Sequence, residues 1–291
     1  MHKAQRVQVW FFCRLLLFFI ATRFLFLRIS SKEDKASLST SDSNKSAVFA
    51  LAVGYSIDDL SPFVISLRYT GYRGSILFGV DFSVNEKLRN FADKYGVTLK
   101  VVDRRPTREC SLCSLSLALS RYTFYLHWLK EIEKNIEKIL IVDVRDVVFQ
   151  TDPFLEFSSQ ESSRIFVFEE SFNFSIDTKR PFKTPWNRNW IVEAYGSEGL
   201  KKIGKETIIC SGTTISGRNG MNHYLSVMVE ELERFRRPCP KIKCCSCGES
   251  KGLDQGIHNF LIHTGQIQNV SRKMYGESFV LTLGSLRYTD H

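Results

Sequence analysis

Short apolar segments alternate with amphipathic segments along the chain from residue 47 onward. The apolar segments are four to seven residues long and are predicted to be buried strands, at 47–53, 75–80, 97–102 and 139–142. The segments between them place apolar residues on one helical face, at 58–68, 85–95 and 114–137. Gly96 is predicted to end the second of these helices as a C-cap. Strands that alternate with helices in this way predict an α/β fold with a parallel, Rossmann-like sheet.

The amino-terminal part of the chain has a different pattern and is predicted to lie outside this fold. Val9–Leu27 is strongly apolar over roughly the 20 residues that span a bilayer, and the two basic residues before it favour a cytoplasmic amino terminus. We therefore expect a cytoplasmic tail and a signal-anchor transmembrane helix in residues 1–29. A cleaved signal peptide and an organellar transit peptide are the alternatives. The serine-rich residues 30–46 are predicted to be a flexible stalk, which leaves 47–291 as the folded domain.

The net charge of +9 is concentrated near the amino terminus. Residues 1–46 carry eight basic and three acidic side chains, so that five of the nine net positive charges lie there and four lie in the folded domain. This modest excess does not single out nucleic acid and suits an anionic small substrate equally well. We expect no nucleic-acid partner.

Three sequons and the cysteines agree with a secretory compartment. Asn44, Asn173 and Asn269 each begin an acceptor tripeptide for N-glycosylation. In an oxidising lumen we expect disulfides among the seven cysteines that follow the predicted anchor, with one thiol left over; these are Cys110, Cys113, Cys210, Cys239, Cys244, Cys245 and Cys247. A zinc site is the alternative for the later group. The expected location is the Golgi membrane, with a single-pass type II topology and a luminal domain; secretion or the ER lumen is the alternative.

The clearest candidate for chemistry follows the fourth predicted strand. Asp143 and Asp146 stand at its end, with Arg145 between them. Ligands of open parallel sheets bind outside the carboxyl ends of strands. Two carboxylates at that place suit a hard divalent cation, which shares its oxygen ligands with substrate phosphates. The alternative is an ordinary acidic turn exposed to solvent, with Asp152-Pro153 as plain turn chemistry.

No phosphate-binding glycine loop follows the first predicted strand. The segment after it, Gly54-Tyr55-Ser56, matches neither the GxGxxG fingerprint nor a P-loop, which argues against dinucleotide oxidoreductases and Walker-type nucleotidases. A bound diphosphate then needs positive charge from another source. A metal ion on Asp143 and Asp146 would supply that charge, and Arg145 would add a bidentate contact.

Residues 47–284 resemble the GT-A glycosyltransferases, which use nucleotide-diphosphate sugars. The motifs that carry the resemblance stand in the family's order: Val53-Gly54-Tyr55, Arg121-Tyr122-x-x-Tyr125, Asp143-Val144-Arg145-Asp146, Cys210-Ser211-Gly212-Thr213 and Leu253-Asp254-Gln255-Gly256-Ile257-His258-Asn259. The resemblance implies a mixed, mainly parallel sheet flanked by helices. It also implies a metal-assisted enzyme that transfers a sugar from a nucleotide-diphosphate donor to a hydroxyl of a glycan or glycoprotein acceptor.

The same resemblance implies roles for individual residues. Asp143 and Asp146 would hold Mn2+ or Mg2+, and Asp146 and Asp254 would be catalytic, with Asp254 as a general base on the acceptor hydroxyl. The alternative for Asp254 is a helix N-cap. The donor-binding residues that the resemblance implies are Val53, Gly54, Tyr55, Arg121, Asp143, Arg145, Ser211, Gly212 and Gln255.

Two features depart from the family's pattern. The usual metal motif is Asp-x-Asp, whereas two residues separate Asp143 from Asp146, so that either the turn has one extra residue or only one acid contacts the metal. The chain ends soon after a predicted strand at 279–283, although comparable enzymes often place a histidine or a basic group late in the domain. A C-terminal truncation therefore stays open. The alternative function is a catalytically inactive, GT-A-like lectin or scaffold protein of the secretory pathway.

Residues 181–190 and two histidines complete the set of candidates. The segment 181–190 is rich in aromatic and basic residues. It could be an acceptor loop, because aromatic faces stack on sugars. A packed surface loop is an equally good interpretation. His258 and His263 are five residues apart in the last predicted helix and do not share a face. We expect them to be packing or surface groups.

Overall fold

The computed structural model describes residues 43–82, 84–105, 115–145, 147–157, 162–170, 174–178, 186–234 and 252–281. All of these residues belong to one compact unit, 42–291. A short 3-10 turn, Ser43–Lys45, precedes the first strand. The described strands and helices are β1 Ser46–Leu51, α1 Ile57–Tyr69, β2 Ser75–Val80, α2 Glu86–Tyr95, β3 Val97–Val101, α3 Leu117–Glu131, β4 Lys138–Val142, β5 Ile165–Glu169, α4 Trp186–Ile203, β6 Ile209–Gly217, α5 Arg218–Arg234, α6 Leu253–His263 and β7 Val270–Lys273.

The strands form one mixed sheet of seven strands in the order β3-β2-β1-β4-β6-β5-β7. The pairs β2–β3, β1–β2, β1–β4 and β5–β7 are parallel. Only β6 runs the other way among the described strands, and it pairs antiparallel with both β4 and β5. The mixed, mainly parallel α/β sheet is therefore confirmed. This topology brings the carboxyl ends of β1 and β4 to the same edge as the first half of β6.

The two faces of the sheet are covered by two separate hydrophobic clusters. Along β1, Ala47 and Phe49 belong to the cluster under α3, α5 and α6, whereas Val48 and Ala50 belong to the cluster under α1 and α2. Successive residues of a strand point to opposite faces. Because both faces of β1 are covered, every one of these positions is apolar, which is typical of a central parallel strand.

Helix α2 shows how local sequence sets an element's ends. The Asn85 side chain accepts a hydrogen bond from the Leu88 N–H at 2.9 Å and so caps the amino terminus. Gly96 ends the helix in the left-handed region with φ of 62°. The predicted glycine C-cap is therefore confirmed.

Arg218 ties α3 to the start of β4. It is the first residue of α5, and its guanidinium donates hydrogen bonds to the carbonyl oxygens of Leu129 at 3.0 Å, Ile132 at 3.3 Å and Ile136 at 2.9 Å. Its backbone N–H also donates to the carbonyl oxygen of Glu137 at 2.9 Å. These carbonyls at the end of α3 and in the following turn lack helical partners, so that one side chain fixes the whole connection.

Several boundaries differ from the sequence prediction. Strand β1 begins at Ser46, because Ser46 pairs with Lys138 of β4. Helix α3 is shorter than the predicted 114–137, since the backbone turns to an extended conformation at Ile132. The predicted strand at 279–283 is wrong over 279–281, where Phe279 instead packs against the ring of Phe168 with centroids 5.2 Å apart. The remaining two residues of that segment lie outside the described residues.

Within the described part of the chain, no helix combines the length and the apolar character needed to cross a bilayer. The transmembrane helix expected in residues 1–29 lies outside that part and stays a prediction. The same holds for most of the expected stalk. The membrane anchor therefore belongs to the proposed function and not to the described structure.

We expect Arg218→Met to lower the free energy of unfolding by about 2 kcal/mol, because several carbonyls lose a charged donor that is only partly exposed. Urea denaturation of the purified full chain measures this change. The control is Lys201→Met, which removes an exposed pair with Glu198 and should change stability by no more than about 0.5 kcal/mol. Equal effects of the two substitutions would contradict the role given to Arg218.

Candidate functional site

The site begins where β4 ends. Asp143 directly follows this strand, and its backbone N–H donates to the carbonyl oxygen of Gly212 in β6 at 2.8 Å. The Asp143 side chain is 62% exposed. A Cβ atom at Gly212 would lie 2.5 Å from Asp143 Oδ2, so that only glycine leaves the carboxylate in this position. The absence of a side chain at Gly212 therefore allows the close approach of β6 to the end of β4.

Arg121 bridges two of the predicted carboxylates. Its side chain projects from α3 and is only 10% exposed. The Nη1 atom donates to Asp143 Oδ1 at 2.6 Å, and Nη2 donates to Asp254 Oδ2 at 2.6 Å. The bridge therefore joins α3, the end of β4 and the start of α6, three parts of the chain that are distant in sequence.

The Asp254 carboxylate lies in a complete set of donors. Besides Arg121, Ser211 Oγ donates to Asp254 Oδ2 at 3.1 Å and the Tyr122 hydroxyl donates to the same oxygen at 3.4 Å. Arg121 Nη2 also donates to the Ser211 carbonyl oxygen at 2.9 Å. The Asp254 side chain is 5% exposed. A buried carboxylate is tolerated when it is paired and hydrogen-bonded in this way.

Burial and the nearby positive charge shift the pKa of Asp254 in opposite directions. Burial raises the pKa of Asp254 above its ordinary value, and the Arg121 guanidinium opposes that rise. Burial also raises the pKa of Tyr122 well above its ordinary value, so that its hydroxyl stays a neutral donor. One guanidinium between two carboxylates leaves this described cluster with an excess of negative charge. Such a cluster favours a further cation at its exposed member, Asp143.

Helix α6 places Asp254 and Gln255 in its first turn. The N-cap is Gly252, with φ of 97°, so the predicted N-cap role of Asp254 is wrong. Trp190 of α4 packs against Gly252 and Gly256, and a Cβ at Gly256 would lie 2.8 Å from the Trp190 Cβ. The two glycines therefore let α4 approach the beginning of α6 closely.

Amide side chains link α6 to its neighbours. Gln255 Oε1 accepts from the Ser211 N–H at 3.4 Å, and Gln255 Nε2 donates to Asn187 Oδ1 at 2.9 Å. Asn259 exchanges two hydrogen bonds of 2.8 Å with the backbone N–H and carbonyl of Ile209. The sequence did not indicate a role for Asn187. Its partner Gln255 lies on α6, and no local sequence pattern shows that α4 and α6 pack together.

The other predicted donor residues lie at the end of β1 and after β4. Gly54 is exposed and has φ of 78°, and Tyr55 is half-buried against the cluster under α1. Hydrogen bonds from Ser56 lower the pKa of the Asp59 carboxyl, and the nearby Arg145 guanidinium adds to this effect. Arg145 is thus placed beside the first turn of α1 and is exposed. Val53 is half-buried and packs against the cluster under α3.

Six of the predicted site residues come together: Arg121, Asp143, Ser211, Gly212, Asp254 and Gln255. Asp146, the second predicted metal ligand, lies outside the described residues. Within the described residues, no three histidine, cysteine or acidic side chains converge on one point. Asp143 offers an exposed carboxylate close to the carboxylate of Asp254, which fits one ligand of a hard divalent cation.

Cys210 is the one described cysteine, and it is a free thiol. Burial raises the pKa of this thiol well above its ordinary value, with the carboxylates of Glu170 and Asp143 adding to the effect. It therefore stays protonated. The other cysteines of the predicted disulfides lie outside the described residues, and their pairing stays a prediction.

The two histidines of α6 occupy separate surroundings, as their spacing predicted. His258 is fully buried, and its Nδ1 shares a hydrogen bond of 2.8 Å with the Tyr224 hydroxyl. His263 lies on another side of the helix, with Nε2 2.9 Å from the Thr207 carbonyl oxygen. Burial lowers the pKa of His258 to about 3. The imidazole is therefore neutral at physiological pH.

Comparison with known proteins gives distant structural likenesses only. No protein-family profile matches the chain, and no curated protein sequence matches it. The 4-diphosphocytidyl-2C-methyl-D-erythritol synthase from Anaerococcus prevotii is 10% identical, with a TM-score of 0.42 over 84% of this chain and 95% of that one. The galactosyltransferase LgtC, solved with donor and acceptor sugar analogs, is 15% identical, with a TM-score of 0.43 over 78% of this chain and 72% of that one. Neither likeness identifies a family or a substrate for this chain.

We expect His258 to make stability depend on pH. Its pKa is about 3 when folded and about 6.5 when unfolded, so the unfolded state binds more protons between these values. Stability is therefore lost as pH falls from about 6.5 towards 3, and His258 should cost about 2 kcal/mol at pH 5 relative to pH 7.5.

Urea denaturation of the wild type and of His258→Gln at the two pH values measures this cost. The free energy of unfolding of the wild type minus that of His258→Gln should be about 2 kcal/mol smaller at pH 5 than at pH 7.5, because glutamine does not titrate. The exposed His127→Gln is the control. Parallel pH profiles for wild type and His258→Gln would contradict the assignment.

Proposed function

We propose that this protein is a GT-A-type glycosyltransferase. It transfers a sugar from a nucleotide-diphosphate donor to a hydroxyl of a glycan or glycoprotein acceptor. The observation that carries the proposal is the bridge from Arg121 to Asp143 and Asp254. This bridge unites three of the motifs that carry the sequence resemblance, and it does so at the edge of the sheet where such folds bind ligands.

The proposed donor site uses the exposed end of this cluster. Arg121 fixes the Asp143 carboxylate through Oδ1, and the missing side chain of Gly212 leaves room beside Oδ2. A divalent cation, Mn2+ or Mg2+, held by Asp143 and Asp146 would neutralise the departing diphosphate. Arg121 orients the Asp143 carboxylate, and Asp143 and Asp146 together would supply the negative charge that such a cation needs.

The remaining donor contacts are proposed at the end of β1. Val53, Gly54 and Tyr55 follow the strand next to β4, and Gly54 leaves its backbone exposed. Arg145 brings an exposed cation to the first turn of α1. In the proposed complex these residues hold the nucleoside and its phosphates, because a guanidinium pairs well with phosphate oxygens.

The geometry favours a positioning role for Asp254 over the general-base role that the sequence resemblance implies. A general base has to come within hydrogen-bond reach of the substrate proton. The Asp254 carboxylate is 5% exposed, and three donors already converge on its Oδ2. In this proposal Asp254 therefore holds Arg121, which in turn holds Asp143.

We place the proposed enzyme in the Golgi lumen, attached by a single amino-terminal anchor. The apolar segment Val9–Leu27 and the sequons at Asn44, Asn173 and Asn269 support this location. The carbohydrate acceptors of the proposed reaction occur in the same compartment. A luminal catalytic domain and a cytoplasmic amino terminus follow from the basic residues before the apolar segment.

One observation favours the second candidate, an inactive lectin or scaffold protein with the same fold. Both terminal nitrogens of Arg121 are hydrogen-bonded to groups of the chain itself, with a carboxylate on each side. A purely structural ion network has the same property. Nucleotide release separates the two candidates, because only the enzyme cleaves the donor.

The test is incubation of the purified full chain with UDP and GDP sugars in the presence of Mn2+, with a CMP sugar, which has no diphosphate, as the negative control. The enzyme should slowly release the nucleotide from one donor even without an acceptor, and chelation of the metal should stop the release. The same donor should raise the melting temperature, since it binds the folded state. The absence of nucleotide release from every donor would contradict the proposal, even where a donor raises the melting temperature.

We expect Asp143→Asn to reduce donor turnover by about 100-fold or more, because a fixed charge at the departing diphosphate is lost. Asp146→Ala should have an effect of similar size. The free energy of unfolding of Asp143→Asn should change by no more than about 1 kcal/mol, since this carboxylate is largely exposed. Nucleotide release and urea denaturation measure the two quantities.

The matched control is Glu137→Gln, which removes an exposed carboxylate at the opposite end of the same strand. Glu137 pairs with Lys45 at 3.1 Å and lies just before β4. Its substitution should leave donor turnover at the wild-type rate. Full activity in Asp143→Asn would contradict the donor site.

A further inference from the structure

The first turn of α4 carries an exposed tryptophan that stacks on a second one. Trp186 is 53% exposed. Its ring stacks on that of Trp190, four residues later, with centroids 6.1 Å apart and an angle of 22° between the planes. Residues four apart lie on the same side of a helix. One face of the Trp186 indole is therefore supported by protein.

Trp190, on which Trp186 stacks, is packed closely against the beginning of α6. Trp190 lies against Gly252 and Gly256, where a Cβ at Gly256 would come within 2.8 Å of the Trp190 Cβ. These glycines flank Asp254 and Gln255 in the first turn of α6. The stacked pair of tryptophans, Trp186 and Trp190, is thus fixed to the same turn that holds Arg121.

A chain of hydrogen bonds connects the tryptophan pair with the proposed donor site. Asn187, the residue after Trp186, accepts from Gln255 Nε2 at 2.9 Å. Gln255 Oε1 in turn accepts from the Ser211 N–H at 3.4 Å. Trp186 is therefore adjacent to a residue that is linked through α6 to β6, on the side of the site that these two elements form.

We propose that Trp186 binds the acceptor, with the apolar face of a sugar ring stacked on its indole. A sugar ring presents C–H groups on one face, and the negative face of an aromatic ring attracts them. Single exposed apolar residues are common and need no function. Trp186 is singled out because it stacks on the half-buried Trp190 and because its neighbour Asn187 is hydrogen-bonded to the site.

This inference rests on the proposed function, because the stacked sugar is the acceptor of that reaction. It narrows the substrate class to acceptors that end in a sugar ring, as opposed to a serine or threonine hydroxyl of an unmodified protein. The pairing of Asn187 with Gln255 would then hold the stacking surface at a fixed place relative to the donor.

The test is saturation-transfer-difference NMR on the purified full chain with methyl β-D-galactoside, methyl β-D-glucoside and methyl α-D-mannoside as probes. The wild type should bind at least one probe. Trp186→Ala should weaken that binding by 10-fold or more, whereas Trp186→Tyr, which keeps an aromatic face, should stay within about 3-fold of the wild type. Tyr69→Ala, which removes an even more exposed aromatic side chain on α1, should bind as the wild type does.

Two outcomes would overturn the inference: no binding of any probe by the wild type, or unchanged binding by Trp186→Ala. Thermal unfolding of each variant verifies that the fold is kept, which the exposure of Trp186 leads us to expect. Nucleotide release by the wild type is measured separately. Binding that depends on Trp186 without any nucleotide release would keep the sugar site and contradict the enzymatic proposal.

Discussion

The buried guanidinium of Arg121 constrains the site more than any other described group. A charge in that position is tolerated only when it is paired, and Arg121 is paired with Asp143 on one side and Asp254 on the other, each at 2.6 Å. Helix α3, the end of β4 and the start of α6 therefore have to meet at one point. The sheet topology makes this possible, because antiparallel β6 brings Ser211 and Gly212 beside the end of β4.

Local patterns predicted the elements that local interactions form. The alternating apolar segments gave β1 to β4 within a few residues, and Gly96 marked the end of α2 because a left-handed residue is needed there. The sequence also placed Asp143 at a strand end, and the resemblance assigned Asp143 and Gly212 to the same donor site. Strand β7 and the helical conformation of Trp186 were missed, since β7 is short and mixed in polarity and the segment around Trp186 has no clear period.

Local sequence patterns could not predict the contacts that define the site. Arg121 and Asp254 were each singled out, but their direct pairing depends on how α3 and α6 pack on the same face of the sheet. The same packing buries Asp254, and this burial is why we propose that it positions Arg121 and does not act as the general base that the resemblance implies. The close approach of Trp190 to Gly252 and Gly256 likewise depends on two helices that are distant in sequence.

The coupling between Arg121 and Asp254 is tested most directly by a double-mutant cycle. Unfolding free energies are measured for Arg121→Met, Asp254→Leu and the double variant. Arg121→Met leaves the buried Asp254 carboxylate without its cationic partner, and Asp254→Leu leaves the buried guanidinium with Asp143 as its one remaining carboxylate. Each single substitution should cost about 3–5 kcal/mol, whereas the double variant should cost about 2 kcal/mol less than the sum, or an even larger amount less, roughly the range of coupling known for such pairs. Strictly additive costs would contradict a site held together by this bridge.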